Sequence, residues 1–363
     1  MIDTYRFGCR CAGLSLVELM VAIAISSILL AGVGNIYVGN KTSYLVAEEN
    51  ARMQENARFA LDALAKDIRM AGYRGCDAET TRFANTLNGA TSWMTDLESG
   101  IIGYEGGVDT FPPEFSASAM GTTDAITVVR ADSDDSYIVA SHNPTAASLQ
   151  LAGNHDLKRG EILVITDCDQ TSIFQQSNTN INDTISVVVH NTGAPTTPGN
   201  CTKKLFTDPS QSRADCSDVS DFDSVAFGGD AMLMRLLSNS YFIGLENGIP
   251  TLYQEGITHG PTTTTTLSTT RRALVQGVQD MQILYGEDTA GADGVPDQFK
   301  LASAVADWKD VVAVRLSLLL RSERELNTTP QSYTFAGTTT TPVDRYIRRV
   351  FTSTIKLRNR GDR

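Results

Sequence analysis

The residues whose type and spacing could do chemistry are few. Glu18 stands at the head of an apolar run in which no further charge appears until Lys41. A carboxylate inside a bilayer costs roughly 2.5–3.5 kcal/mol even on the lenient insertion scale, so it needs a partner. A cut between Gly13 and Leu14 would supply one, an α-amino group four residues before Glu18. Four residues of helix rise about 6 Å, which sets the amine and carboxylate of one chain at different depths. A neighbouring chain staggered along the axis matches them better. A second candidate is the acidic stretch Glu287–Asp297, where Asp288, Asp293 and Asp297 could offer oxygens to calcium. Loops of that kind alternate their ligands around a glycine turn. Asp293, Gly294 and Asp297 fit the second half of such a loop, Ala290 and Ala292 break the alternation, and an acidic surface turn is the plainer reading. His142, His155, His190 and His259 are scattered, mostly in polar stretches, and read as surface or satisfied histidines. No G-x-S-x-G, H-E-x-x-H or phosphate-binding glycine loop occurs. The expectation is no enzymatic activity and, the calcium option aside, no cofactor.

The element that must hold Glu18 is a helix. Leu19–Asn40 is 22 residues without a charge, about 33 Å of helix against a hydrocarbon core of about 30 Å. Arg6 and Arg10 precede it and Glu48 and Glu49 follow it. Positive-inside asymmetry then places the N-terminus in the cytoplasm and everything after residue 41 outside. A secretory signal peptide is the competing reading, but Ala31–Gly39 runs on as AGVGNIYVG without an A-x-A-like cleavage site. Beyond it Ala57, Leu61, Leu64, Ile68 and Ala71 recur at spacings of four and three, with Arg58, Asp62, Lys66, Asp67 and Arg69 off the stripe. Gly72 and Gly75 are natural terminators.

After Cys76 the pattern changes to short strands and turns. Strands are expected at Asp124–Arg130, Ser136–Ala140, Glu161–Asp167, Ser172–Gln176 and Thr184–His190, then at Ser240–Gly244, Pro250–Gln254, Met281–Tyr285, Val311–Arg321 and Tyr346–Leu357. Met232–Leu237 is ambiguous between helix and strand, and Gly337–Pro342 reads as a loop. The fold class is therefore α+β: a long N-terminal helix, membrane half plus amphipathic half, packed on a C-terminal β-rich domain of antiparallel strands. Cys76, Cys168, Cys201 and Cys216 form an even set on the exported side, where three pairings are possible. We favour Cys76–Cys168 and Cys201–Cys216, the second closing a short acidic loop for about 3 kcal/mol. Zinc is the alternative, but no C-x-x-C or Cys/His spacing supports it.

Gly13-Leu14-Ser15-Leu16-Val17-Glu18-Leu19-Met20 resembles the class III signal of type IV prepilins and pseudopilins. In that family a prepilin peptidase cuts after the glycine, methylates the new N-terminus and requires the glutamate at the fifth mature position. The resemblance implies those roles for Gly13, Leu14 and Glu18. Leu14 replaces the more usual Phe or Met, and the family's helix proline is absent, with Gly32, Gly34 and Asn35 in that stretch. Segments 54–61, 67–76, 162–168, 241–253, 276–285, 308–322 and 348–360 resemble the PilW family of type IV pilus minor pilins. That resemblance implies a subunit that helps prime a retractile pilus at or near its tip, supporting adhesion, twitching motility or DNA uptake. The implied partners are the prepilin peptidase, other minor pilins and the major pilin through the N-terminal helix, and a PilY-type tip adhesin.

The division that follows is 1–13 a cleaved leader, 14–40 a transmembrane and filament-core helix, 41–75 its amphipathic continuation, and 76–363 a periplasmic or extracellular β-rich domain. The chain would be single-pass in the inner membrane, N-terminus in, before assembly, and then part of a pilus at the cell surface. Thirty Lys+Arg against 42 Asp+Glu give −12, which argues against direct contact with nucleic acid, since phosphates need clustered positive charge. A minor pseudopilin of a type II secretion system, similar to the J-type component, is the alternative within the same architecture. A membrane-anchored periplasmic enzyme is the third reading, and it lacks a convergent acid, base or metal set.

Overall fold

The structure is a computed structural model that describes residues 15–76, 82–89, 93–178, 186–193, 196–258, 267–291 and 293–360. Gly13, Leu14 and His259 lie outside the described residues. Helix α1 runs Leu16–Arg69 without a break. The chain divides into two compact units, Met1–Arg52 and Met53–Arg363, so α1 contributes to both.

In the first unit the helix carries no charge on any side from Leu19 to Asn40. Residues 15–44 are exposed throughout; Ile28 and Leu30 are 72% and 71% exposed, values that only a lipid or protein partner makes tolerable. The polar side chains here bond to their own helix: Ser27 Oγ donates to the Ala24 carbonyl at 2.8 Å and Thr42 Oγ1 to that of Val38 at 3.0 Å. No proline interrupts the segment, and Gly32, Gly34 and Gly39 have open space where a side chain would be.

In the second unit the helix becomes amphipathic. Met53, Ala57, Ala60, Leu64 and Ile68 are buried, at successive spacings of four, three, four and four. The strands that follow are β1 Arg82–Asn85, β2 Ile101–Tyr104, β3 Ala125–Asn143, β4 Ser148–Leu151, β5 Ile162–Thr166 and β6 Gln170–Gln175. Next come β7 Val187–Val189, β8 Phe206–Thr207, β9 Arg213–Asp215, β10 Phe222–Asp223, β11 Met232–Glu246 and β12 Ile249–Ile257. The last are β13 Thr269–Gln276, β14 Val278–Glu287, β15 Gln298–Lys300, β16 Val311–Glu325, β17 Tyr333–Phe335, β18 Thr338–Thr340 and β19 Tyr346–Lys356.

Among the described residues eleven strands form one sheet in the order β7-β4-β3-β11-β5-β6-β1-β9, with β12 and β13 continuing from β11 and β2 beside β3. A second sheet has the order β15-β14-β16-β19. Pairing is antiparallel except where β1 meets β6 and β9. The two segments expected as separate strands at 124–130 and 136–140 are one long strand, because β11 pairs with both across an irregularity between Met234 and Leu236. The same pairing resolves the ambiguous 232–237 as strand. The expected loop at 337–342 is instead half of a small hairpin, β17–β18, turning at Ala336 and Gly337 with φ of 47° and 80°.

Disulfides join Cys76 to Cys168 and Cys201 to Cys216. The first ties the end of the helical segment to the turn between β5 and β6. Gly72 donates its N–H to the Val129 carbonyl at 2.9 Å, and the Arg69 carbonyl accepts from Arg358 at 2.9 Å. A Cβ on Gly100 would lie 2.5 Å from the Gly72 nitrogen, so this approach requires glycine.

Candidate assembly site

At the head of the helix, Ser15 and Glu18 bond reciprocally. The Ser15 N–H donates to Glu18 Oε2 at 3.0 Å, and the Glu18 N–H donates to Ser15 Oγ at 3.2 Å. The Ser15 hydroxyl also reaches Oε2 at 3.2 Å. This is a capping box: two of the orphan N–H groups of a helix start are satisfied by side chains three residues apart. Glu18 thus has a partner inside its own chain, and its side chain is otherwise exposed. Ser15-Leu16-Val17-Glu18 has the spacing of that motif, so the signal was present in the sequence. The helix it starts is long and apolar enough to cross a membrane.

At the other end, Asp67 corrects the sequence reading. It was expected on the solvent side of the stripe, yet it is only 6% exposed. Arg130 on β3 donates to Asp67 Oδ1 from Nε at 3.3 Å and Nη2 at 3.1 Å. Tyr241 Oη and Asn239 Nδ2 on β11 donate to Oδ2 at 2.7 and 2.6 Å. One buried carboxylate therefore collects four donors from two strands, and burial beside that anion pushes the Tyr241 hydroxyl well above its usual pKa. An open cleft of about 440 Å³ lies next to this knot, with Phe59 and Lys66 of the helix on one side and Arg272 of β13 on the other.

A second link holds the two sheets together. Asp124 takes N–H donors from Gly106 at 2.9 Å and from Ile283 on β14 at 2.8 Å, and its burial lifts the carboxyl to about 6. Tyr285 of β14 is fully buried against Gly103 of β2, where a Cβ would meet its hydroxyl.

The remaining candidates are engaged locally. Asp297 Oδ2 accepts from the N–H groups of Thr289 and Ala290, both at 2.8 Å, Asp288 Oδ2 from Gly294 at 2.7 Å, and Asp293 Oδ1 from Val295 at 2.9 Å. The Asp/Gly turn is held by its own amides. Among the described residues no group of three His, Cys, Asp or Glu side chains is placed to hold a metal ion. Of the two readings of the histidines, surface or satisfied, the described ones take the interior: His142, His155 and His190 are buried, and two of them pair. Phe227 N–H donates to His142 Nδ1 at 3.1 Å, which places the His142 proton on Nε2, 3.1 Å from His190 Nε2. Burial pushes His142 down to about 4 and His190 to about 3. They are core groups held neutral.

Residues 9–34 match the family model described as the prokaryotic N-terminal methylation motif, and residues 240–359 match that of Type IV Pilus-assembly protein W. The class these matches support is a type IV pilus-related pilin, and both matched families are structural pilus components. More particularly, the chain matches the PilW family and carries a prepilin-type signal. No curated protein and no solved structure matches it. The W-type match covers β11 from Ser240 onward and the whole β14–β16–β19 sheet, the strands that carry Tyr241 and the edge at 346–356.

Proposed function

We propose that this chain is a minor pilin that helps start pilus assembly at or near the tip. The observation that carries the reading is the apolar helix 16–38, uncovered in its own chain and headed by Glu18, in a protein that matches the PilW family. Such a face is stored in a membrane and buried against other pilin helices on assembly. In this reading the prepilin peptidase cuts after Gly13, Leu14 becomes the methylated N-terminus, and the N-terminus stays cytoplasmic before assembly. Neighbouring minor pilins, the major pilin and a PilY-type tip adhesin are its partners. Deleting the gene should reduce the number of pili per cell, and a tagged copy should label filament ends. Label spread along the shaft, or an unchanged pilus number, would refute priming while leaving the pilin class intact.

A further inference from the structure

The last strand of the second sheet has one edge that no described strand pairs with. β19 pairs with β16 alone among the described residues. Leu357 N–H donates to Val312 C=O at 2.9 Å, and the register runs unshifted from Ala313↔Lys356 to Arg321↔Arg348. In an antiparallel ladder the inward and outward groups alternate. Arg349, Phe351, Ser353 and Ile355 therefore turn their N–H and C=O toward β16, while Val350, Thr352, Thr354 and Lys356 turn theirs away from it. Those last four residues are all exposed, and none of their amides bonds to a described residue outside the strand.

Folded proteins usually blunt such an edge with a short strand, a proline or a bulge. Here the strand is 11 residues long and has no proline, and its register is regular over residues 348–356. The other long outer strand, β13, is interrupted by an irregularity opposite Leu252 and Tyr253. Charge indicates what could sit on β19. Residues 345–360 contain six Lys or Arg and no Asp or Glu, in a chain of net charge −12. Arg345 pairs with Glu325, Arg348 with Asp344, and Arg360 bonds the carbonyls of Glu98 and Trp308, so Lys356 is the cation that stands on the outward row. Lys356 makes no hydrogen bond or ion pair with a described residue, and its row along the outer face continues through Thr354 and Thr352 to Val350.

We propose that β19 is a docking edge that accepts an extended acidic segment of another polypeptide as an added antiparallel strand. Main-chain bonds to the outward groups of 350, 352, 354 and 356 hold it, and a carboxylate opposite Lys356 sets its register. This deepens the filament-subunit reading by naming the chemistry of a partner, and it is testable without filaments.

The probe is an acetylated, amidated peptide, Glu-Thr-Thr-Thr-Thr-Val-Val-Glu, added to the full chain in detergent micelles. Its control carries Lys in place of both Glu. Amide exchange is read at single residues by fragmentation. In the free chain 350, 352, 354 and 356 should exchange fast and 349, 351, 353 and 355 slowly. The acidic peptide should slow the fast set at least tenfold and bind about tenfold more tightly than the lysine peptide. Thr352→Pro, which removes an outward N–H and an exposed hydroxyl contact with Ser317, should abolish protection while lowering the melting temperature by no more than Thr352→Ala does. If that variant does not fold, Lys356→Glu should instead remove the preference for the acidic peptide. An outward set already protected in the free chain, no protection on adding the peptide, or equal binding of both peptides would overturn the proposal. None of these results bears on pilus number or tip labelling, so the two readings fail separately.

Discussion

Replacing Arg130 with Met tests whether the knot at Asp67 carries the energy its geometry implies. The change removes two of the four donors on a carboxylate that is 6% exposed, together with its only charge-compensating partner in the knot. Tyr241 and Asn239 remain, but they are neutral. Breaking a buried pair from one side costs about 3–5 kcal/mol, because the surviving charge stays desolvated. For a unit of this size that corresponds to a fall in melting temperature on the order of 5–8 °C. Adding Asp67→Asn to Arg130→Met removes the stranded charge while keeping an acceptor for Tyr241 and Asn239. The double variant should therefore be more stable than the sum of the two single changes by about 1–3 kcal/mol. Urea unfolding of the full chain in detergent, followed by Trp93 and Trp308 fluorescence, reads all four corners of the cycle. A loss below about 1 kcal/mol for Arg130→Met, or strict additivity, would refute the reasoning.

Glu18→Val should insert in the membrane and be processed as in wild type yet assemble poorly, and pili at wild-type number on cells holding the processed variant would exclude an assembly contact. Ser15→Ala removes only the capping half of the box and should cost the helix start about 1 kcal/mol, measured by exchange of the first-turn amides. Intact mass of the mature chain should place its first residue at Leu14; a chain beginning at Met1 would contradict the pilin assignment. Cys201→Ser should lower stability by about 3 kcal/mol and Cys76→Ser by somewhat more, since the closed loops span sequence separations of 15 and 92; equal unfolding midpoints for both variants and wild type would contradict this. The folded-state pKa of His190 lies below its ordinary value, so its contribution is complete above about pH 6.5 and is lost as pH falls from there toward about 3. Wild type should accordingly lose stability relative to His190→Phe over that window, and a constant difference between the two would show that the ring is not held neutral by burial.

How much of this was legible follows from the range of each signal. The helix was readable because its evidence is local: 22 uncharged residues, then a stripe at three- and four-residue spacing. The α+β class was readable for the same reason, as were the outlines of β16 and β19. Asp67 was not. Periodicity treats a charge off the stripe as solvent-facing, and the groups that bury this one come from positions 63 to 174 residues away. The histidine pair was hidden likewise, with 48 residues between its members. β13 was missed outright, since Thr269–Gln276 is mostly exposed and carries no alternation to detect. The capping box was visible but overshadowed, because a carboxylate before an apolar run invites a partner from outside before one from inside. At Asp288, Asp293 and Asp297 the spacing alone did not show that each carboxylate caps nearby backbone, because such bonds depend on the turn's conformation.

The Cys76–Cys168 bridge has a mechanical consequence. In the proposed pilus, tension on this subunit would enter the β-rich unit along α1. Seven residues past Arg69 the chain meets a covalent junction, and the sequence between its two ends spans a separation of 92. Load arriving at Cys76 can cross directly to the β5–β6 turn, in parallel with the backbone of 77–167. Strands β1 to β5 are thereby shunted, and they need not unravel in series when the chain is drawn. A reduced subunit would have no such bypass. Under the same pull it should lengthen by up to roughly 300 Å more, the contour of about 91 residues at 3.3–3.6 Å each.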